Sequence, residues 1–421
     1  MFAGPHQGFT TTSAKGLRHD SVPMRLYQEA KRLGAWDPRG IGLRQDSHDW
    51  GRLQALERDL LLRLTALFQA GEESLTLDPP ALLMRMVRED RFEEEMFLTT
   101  FLSEKAKHTE FFRRFLDEVC RAGEDLHRYH TPSFRKLFYE QLPQAMNRLL
   151  DDPSLAAQAE AVVRAMVIGE GVLAAIGYHV YATVLRPRKL MPGLMSGLSH
   201  MQRDETRHVE YGLFVLARLA VQDTGMRAVI AQQAYELLAD ALDTIREFFE
   251  PYPAVPFGLS RDAVLEYAIG QFSRCSTMIE KAIEREPAAL TVTTELHPGG
   301  AKHRHRNDDV NNVPSAGARG YSDSQVQKAV EAVLDWINHR VAPVKTSVTK
   351  NPSSRVYVFR LEQEGVESAL LLTEEIFERH SVQDIIAALS EHQVAKTLHT
   401  QVKTRLICLR AGNHIVVQQG T

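Results

Sequence analysis

Residues 165–185 read AMVIGEGVLAAIGYHVYATVL, an almost unbroken apolar helix pattern with one carboxylate, Glu170, in its middle. That stretch is long enough to raise the question of a membrane span. The segments on either side are amphipathic and heavily charged, so the reading here is the buried central helix of a soluble bundle. Such a helix has no polar face on which Glu170 could reach water. Burying an unpaired carboxylate costs several kcal/mol or more, so the fold must bring a positive group to it. A metal ion would serve, and so would a buried lysine, arginine or histidine.

The surroundings of this helix are helical as well. From about Trp50 to Glu284 apolar residues recur at intervals of three and four, as in WGRLQALERDLLLRLTALFQAGEE and RFEEEMFLTTFLSEKAKHTEFFRRFLDEVC, and strand signals are absent. The pattern predicts an all-α bundle with long core helices. The division expected is an N-terminal arm over 1–45, the bundle over 46–290, a flexible linker over 291–320 and a small α+β domain over 321–421. The linker, rich in Gly, Pro, Asn, Ser and charge, holds His303 and His305, which read as solvated. In the last domain, Ser322 or Ser324 would cap a helix. RVYVFRLEQEGVESALLLT predicts a hairpin, two short helices follow, and TRLICLRAGNHIVVQQ predicts a second hairpin turning at AGN. Leu370, Leu371, Ile407 and Val416 read as core there, and no catalytic motif is present.

With 50 Lys and Arg against 54 Asp and Glu, the net charge of -4 gives no case for nucleic acid or an anionic membrane surface. Cys120, Cys275 and Cys408 are far apart and fit neither a disulfide framework nor a zinc site. The first thirty residues lack the apolar core of a signal peptide. Together these features predict a cytoplasmic protein.

Four helices each offer a metal-ligand type at a position that otherwise reads as core: Glu72, His108, Glu170, and the pair Glu205 and His208. The last two are three apart, so both project from one face. Glu-x-x-His is the spacing used in di-iron and di-manganese carboxylate bundles. Asp204 and Glu210 could support the ligands from outside, but solvated surface is the favoured reading for each. A second Glu-x-x-His is expected on the earlier helix, but three residues before His108 stands Lys105, with Glu104 one residue earlier.

These segments resemble the ligand-binding oxidases related to ribonucleotide reductase small subunits. The similarity runs over about residues 22–285 and rests on PMRLYQEA, QAGEE, EMFLTTFLSEKAKHTEFFRRFLD, GEGVLAAIGYHVY and LMPGLMSGLSHMQRDETRHVEYGLF, with Glu72 and position 105 separated by 33 residues. The resemblance implies a ferritin-like bundle holding two metals, manganese and iron or two irons, in four carboxylates and two histidines. Matched by position, Glu72, His108, Glu170, Glu205 and His208 are kept as ligands, and Lys105 replaces a bridging carboxylate. The cross-linked tyrosine and valine of that family correspond to Ala165 and Leu75, and the radical tyrosine of reductase subunits to Phe112.

Three carboxylates and an ammonium around two divalent ions would leave about two positive charges in a dry interior, which is very unfavourable. Four outcomes remain. One ion binds while Lys105 pairs with a carboxylate; Lys105 is neutral; the site is metal-free, with Lys105 salt-bridged to Glu72, Glu170 and Glu205; or a helix shift brings Glu104 into the ligand place. The leading expectation is a dioxygen-dependent oxidase or oxygenase of a hydrophobic small molecule, with iron or manganese as cofactor and Lys105 delivering a proton or itself modified. The resemblance implies a fatty-acid-like ligand. A metal-free binding protein and a reductase small subunit are the alternatives. A homodimer and a protein partner for the C-terminal domain are further expectations.

Overall fold

The computed structural model describes residues 8–294, 323–341, 345–351, 355–363, 366–398, 405–411 and 414–420. Two compact units divide between Cys275 and Ser276. The first is helical: α1 (Val22–Leu33), α2 (Arg44–Arg52), α3 (Ala55–Leu77), α4 (Pro80–Arg88), α5 (Phe92–Phe115), α6 (Pro132–Arg135), α7 (Leu142–Arg148), α8 (Leu155–Val162), α9 (Ala175–Leu185), α10 (Pro192–Gln222) and α11 (Met226–Phe249). A twelfth, α12 (Arg261–Thr294), crosses the division. Among the described residues no helix is long and apolar enough to cross a membrane.

Local chemistry fixes the long helices. Gln54 and Glu57 form a reciprocal capping box at the start of α3. Helix α5 carries Glu93, Glu94 and Glu95 in its first turn and Arg113 and Arg114 in its last, matching the helix dipole at both ends. The α10 N-terminus is capped from a distance: Gly193 and Leu194 donate their backbone N–H groups to the Asp46 carboxylate at 2.8 and 2.5 Å.

Helices α8 and α9 are joined by a π-helical stretch, Val163–Ala174, so the whole run forms one rod with Glu170 in the widened part. Such i→i+5 segments occur mostly where a helix must re-aim a functional side chain. The stretch packs against α10 and α11, while α3 packs on α5. Met166 and Val172 within it are buried, as are Phe97, Phe101, Phe111 and Phe112 of α5. The N-terminal region is more than an arm: α1 lies on α5 and α10 and buries Met24, Leu26 and Ala30.

The second unit has α13 (Asp323–Arg340), β1 (Lys345–Asn351), β2 (Val356–Gln363), β3 (Val366–Thr373), α14 (Glu374–Arg379), α15 (Val382–Glu391), α16 (Val394–Leu398), β4 (Arg405–Ala411) and β5 (His414–Gly420). The strands form one sheet in the order β1-β2-β3-β4-β5, antiparallel except for the β3–β4 pair. Both expected hairpins form. β1, reading KTSVTKN, was not legible because it is a half-exposed edge strand without apolar alternation. Tyr357, Phe359, Leu370 and Leu372 share the core with α13 to α16. Leu371 is buried on the other face, as the two-residue period requires. The side chains of Ile407 and Val416, and His303, His305 and Ser322, lie outside the described residues, as does most of the linker expected over 291–320.

One close approach sets how α10 meets α5. A Cβ on Gly197 would lie 2.1 Å from Cζ of the fully buried Phe111 ring. Gly197→Ala is therefore expected to cost about 1–2 kcal/mol net, since overpacking outweighs the ~1 kcal/mol that alanine gains within a helix. Gly51→Ala, with nothing within 4 Å, serves as the control. Urea unfolding compares the two, and equal stability would show that the crossing is not set by this contact.

Candidate metal centre

The five sequence-predicted ligands converge in the first unit, and all are buried. Glu72 comes from α3, His108 from α5, Glu170 from the π-helical stretch, and Glu205 and His208 from α10. Lys105, one turn before His108 on α5, stands at their centre with no exposed surface. Its Nζ lies 3.0 Å from Glu72 Oε2, 2.6 Å from Glu170 Oε1 and 3.1 Å from Glu205 Oε1. A lysine ammonium has three N–H donors, and here each faces a different glutamate.

The structure divides the predicted set. Glu72, His108 and Glu205 each present a donor atom, and these three atoms lie within 4.8 Å of one another. Glu170 and His208 pair directly, Nδ1 to Oε1 at 3.1 Å, through the same oxygen that meets Lys105.

Each imidazole is held between two carboxylates. His108 meets Glu72 through Nδ1 at 3.1 Å and Asp204 through Nε2 at 3.2 Å. His208 meets Glu170 through Nδ1 and, through Nε2 at 2.9 Å, Glu104. Carboxylates only accept, so in this arrangement both nitrogens of each ring donate and the imidazolium form fits. An outer carboxylate on Nε2 is also the partner that orients a metal-binding histidine, leaving Nδ1 for the ion.

Two expectations are corrected here. Asp204 is not solvated: it has no exposed surface and also accepts from Trp36 Nε1 at 2.8 Å and Arg207 at 2.6 Å. Glu104 does not enter the ligand place; it holds His208 and pairs with Arg207 at 2.5 Å. Both follow from helix geometry, since Asp204 and His208 are four apart and Glu104 and Lys105 point to different sides of α5. Glu210 is half exposed and pairs with Arg25, as its surface reading required. Trp36 and Arg207 left no trace in the spacing, because their roles exist only where α1's following loop meets α10.

The electrostatics follow from burial and crowding. Burial opposes the Lys105 ammonium, but Glu170, Glu72 and Glu205 outweigh it and hold its pKa well above the usual value. Burial likewise opposes ionised Glu72, yet Lys105 and His108 bring it down to about 2. Glu205 goes the other way: burial, with Glu72 and Glu170 nearby, exceeds the help from Lys105 and lifts it to about 7. Beside it the buried Tyr178 phenol is pushed well above its ordinary value by burial and by Glu205 and Glu72.

An apolar cavity ends on this cluster. It has about 740 Å³ of empty space when the open solvent at its mouth is included. Leu75, Phe138, Leu173, Ile176, Ile245 and Phe248 are among its walls, and Glu72, Lys105, Glu170 and Glu205 supply its charged end.

Helical bundle, carboxylates from separate helices and histidines at this spacing define a protein of the ferritin-like carboxylate class. Residues 24–269 match the family described as ribonucleotide reductase, small chain, and the chain belongs to that family. Among solved structures it is similar to single-residue variants of R2-like ligand-binding oxidase. One, with an anaerobically reconstituted Mn/Fe cofactor, is 32% identical over 65% of this chain and 98% of that one, with a TM-score of 0.62. Another, reconstituted aerobically, is 33% identical over the same shares, again at 0.62. A third is 31% identical, covering 65% of this chain and 99% of that one, at 0.63.

Burial lowers the pKa of His208, but Glu170 and Glu104 outweigh it and raise it from 6.5 to about 9. The raised value means that the stability it contributes is whole below about pH 6.5 and is lost as pH rises through 9. In chelator-treated full-length protein this group should account for roughly 2 kcal/mol of the stability lost between pH 7 and pH 9.5. Urea unfolding at the two pH values should show His208→Gln with a flatter dependence. An unchanged slope would mean the ring is neutral.

Proposed function

We propose that this protein is a metal-dependent oxidase or oxygenase of a hydrophobic small molecule, and that its centre takes one iron or manganese ion rather than two. The observation that carries this reading is an apolar cavity whose inner end is made of Glu72, Lys105, Glu170 and Glu205.

The residues fit one ion. Glu72, His108 and Glu205 offer two hard oxygens and an imidazole within 4.8 Å of one another, a donor set suited to iron or manganese. Charge balance supports the same count. Around the cluster five carboxylates, Glu72, Glu104, Glu170, Asp204 and Glu205, face Lys105, Arg207 and two imidazolium rings. An ion taken by His108 displaces the Nδ1 proton, and Glu205, held up to about 7, gives up its own. One divalent ion therefore enters without changing the net charge, whereas a second would face the Lys105 ammonium. When bound, such an ion would supply dioxygen chemistry.

The chain's own groups do the rest. Walls such as Leu173 and Phe248 bind an apolar substrate and exclude water. Lys105 Nζ, with Glu205 beside it at 3.1 Å, is the proton store at the reacting end. Asp204 and Glu104 fix the two rings, as Nε2 partners do in metal sites.

A second reading rests on the same ammonium. Lys105 already neutralises part of the carboxylate charge without an ion, which suits a binding protein that has no metal chemistry. Elemental analysis of protein made with ample iron and manganese separates the two. The expected result is about one ion per chain, lost in Glu72→Ala and His108→Ala, and rising towards two in Lys105→Glu, which restores a fourth carboxylate. No metal in protein that retains its fold would sink the oxidase reading. Two ions per chain in the native protein would sink the one-ion assignment.

A further inference from the structure

Glu72, His108 and Glu205 give the ion three protein donors, and a buried phenol stands beside two of them. Resting on the one-ion reading above, we propose that Tyr178 is a further ligand of this centre, binding through its phenolate oxygen when the ion is in the trivalent state.

Placement carries the first part. Tyr178 lies on α9, which continues from the π-helical stretch bearing Glu170 and packs against α3 and α10. Those two helices supply Glu72 and Glu205. The Tyr178 ring rests on Phe68 with centroids 5.2 Å apart, and Phe68 is one turn before Glu72 on the same face of α3. The approach is close because residue 177 is glycine: a Cβ there would lie 2.2 Å from Phe68 Cε2. Among charged groups, Glu205 and Glu72 act most strongly on the Tyr178 hydroxyl.

That hydroxyl is an orphan. It is buried and forms no hydrogen bond of ordinary geometry among the described residues. A buried tyrosine O–H usually finds a partner, because leaving it unpaired costs free energy. Tyr181, one turn further along α9, shows the usual case, with its hydroxyl 2.8 Å from Thr65 Oγ1. The carboxylates facing Tyr178 are instead engaged with Lys105 and His108.

Charge carries the second part. Phenolate is a hard anionic oxygen donor that iron accepts, as tyrosine-ligated haem shows. In the one-ion reading His108 and Glu205 each release a proton to a divalent ion. Oxidation then adds one positive charge to a dry interior, where an uncompensated charge is costly. The compensating step balances. The ferrous ion passes one electron to dioxygen or another one-electron acceptor, the Tyr178 O–H bond breaks, its proton goes to water, and an iron–oxygen bond forms. One negative charge meets the one positive charge gained.

The test uses full-length protein loaded without air with one equivalent of ferrous iron, then oxidised with ferricyanide and desalted. A visible phenolate-to-iron charge-transfer band is expected. Resonance Raman excited in that band should show tyrosine ring modes that shift when the protein is made with ring-deuterated tyrosine. Tyr178→Phe should still hold about one iron per chain and lose the band. Its ferric/ferrous midpoint should rise by about 59 mV or more, a tenfold loss of preference for the ferric ion. Tyr181→Phe should keep the band. Where Tyr178→Phe does not fold, Phe68→Leu, which removes the support of the ring, should weaken and shift the band instead. Ferric protein that holds its iron without such a band overturns the proposal and leaves the one-ion reading standing, as does a band that survives Tyr178→Phe. Folded protein that retains no iron overturns both.

Discussion

A single ammonium inside the bundle sets the terms for everything near it. Lys105 is fully buried, and an isolated charge there would cost far more than a domain's stability margin allows. It is tolerated because α3, α10 and the π-helical stretch each deliver a glutamate to it. The dependence is mutual: without a cation at that point Glu72, Glu170 and Glu205 would be three like charges in a dry interior. Removing one member leaves the others uncompensated, so the cluster holds the helices in register as much as it serves chemistry.

The outer ring extends the same logic. Two imidazoles are clamped between inner and outer carboxylates, and Arg207 joins Asp204 to Glu104. Alternating sign at each step, from Lys105 to glutamate to histidine to carboxylate to arginine, lets a strongly charged core exist at all. In the one-ion proposal, a divalent cation that replaces protons on Nδ1 and Glu205 would change little in the surrounding charge. The apolar cavity shares Glu72, Lys105, Glu170 and Glu205 with this cluster.

The second unit contributes a compact helix-covered sheet and, among its described residues, no comparable cluster of chemistry-bearing side chains. Its core of Val333, Ile337, Phe359, Leu370 and Leu372 is ordinary packing. The functional reading therefore belongs to the first unit.

Much of this was legible in the amino-acid order. A carboxylate alone in an apolar helix demands a buried counter-charge wherever the helix goes, and three-residue spacing puts Glu205 and His208 on one face. Those are local consequences of solvation and of 3.6 residues per turn. The order of residues therefore determined the bundle, the five candidate ligands and the anomaly at Lys105. It left open where the Lys105 ammonium sits among the glutamates, and it favoured a surface position for Asp204. Only the tertiary structure decided these, because they depend on side chains more than thirty residues apart reaching the same point within a few ångströms. The split of the ligand set, the three ion pairs of Lys105 and the unpaired oxygen of Glu170 are properties of distance between helices. No periodicity along one helix encodes them.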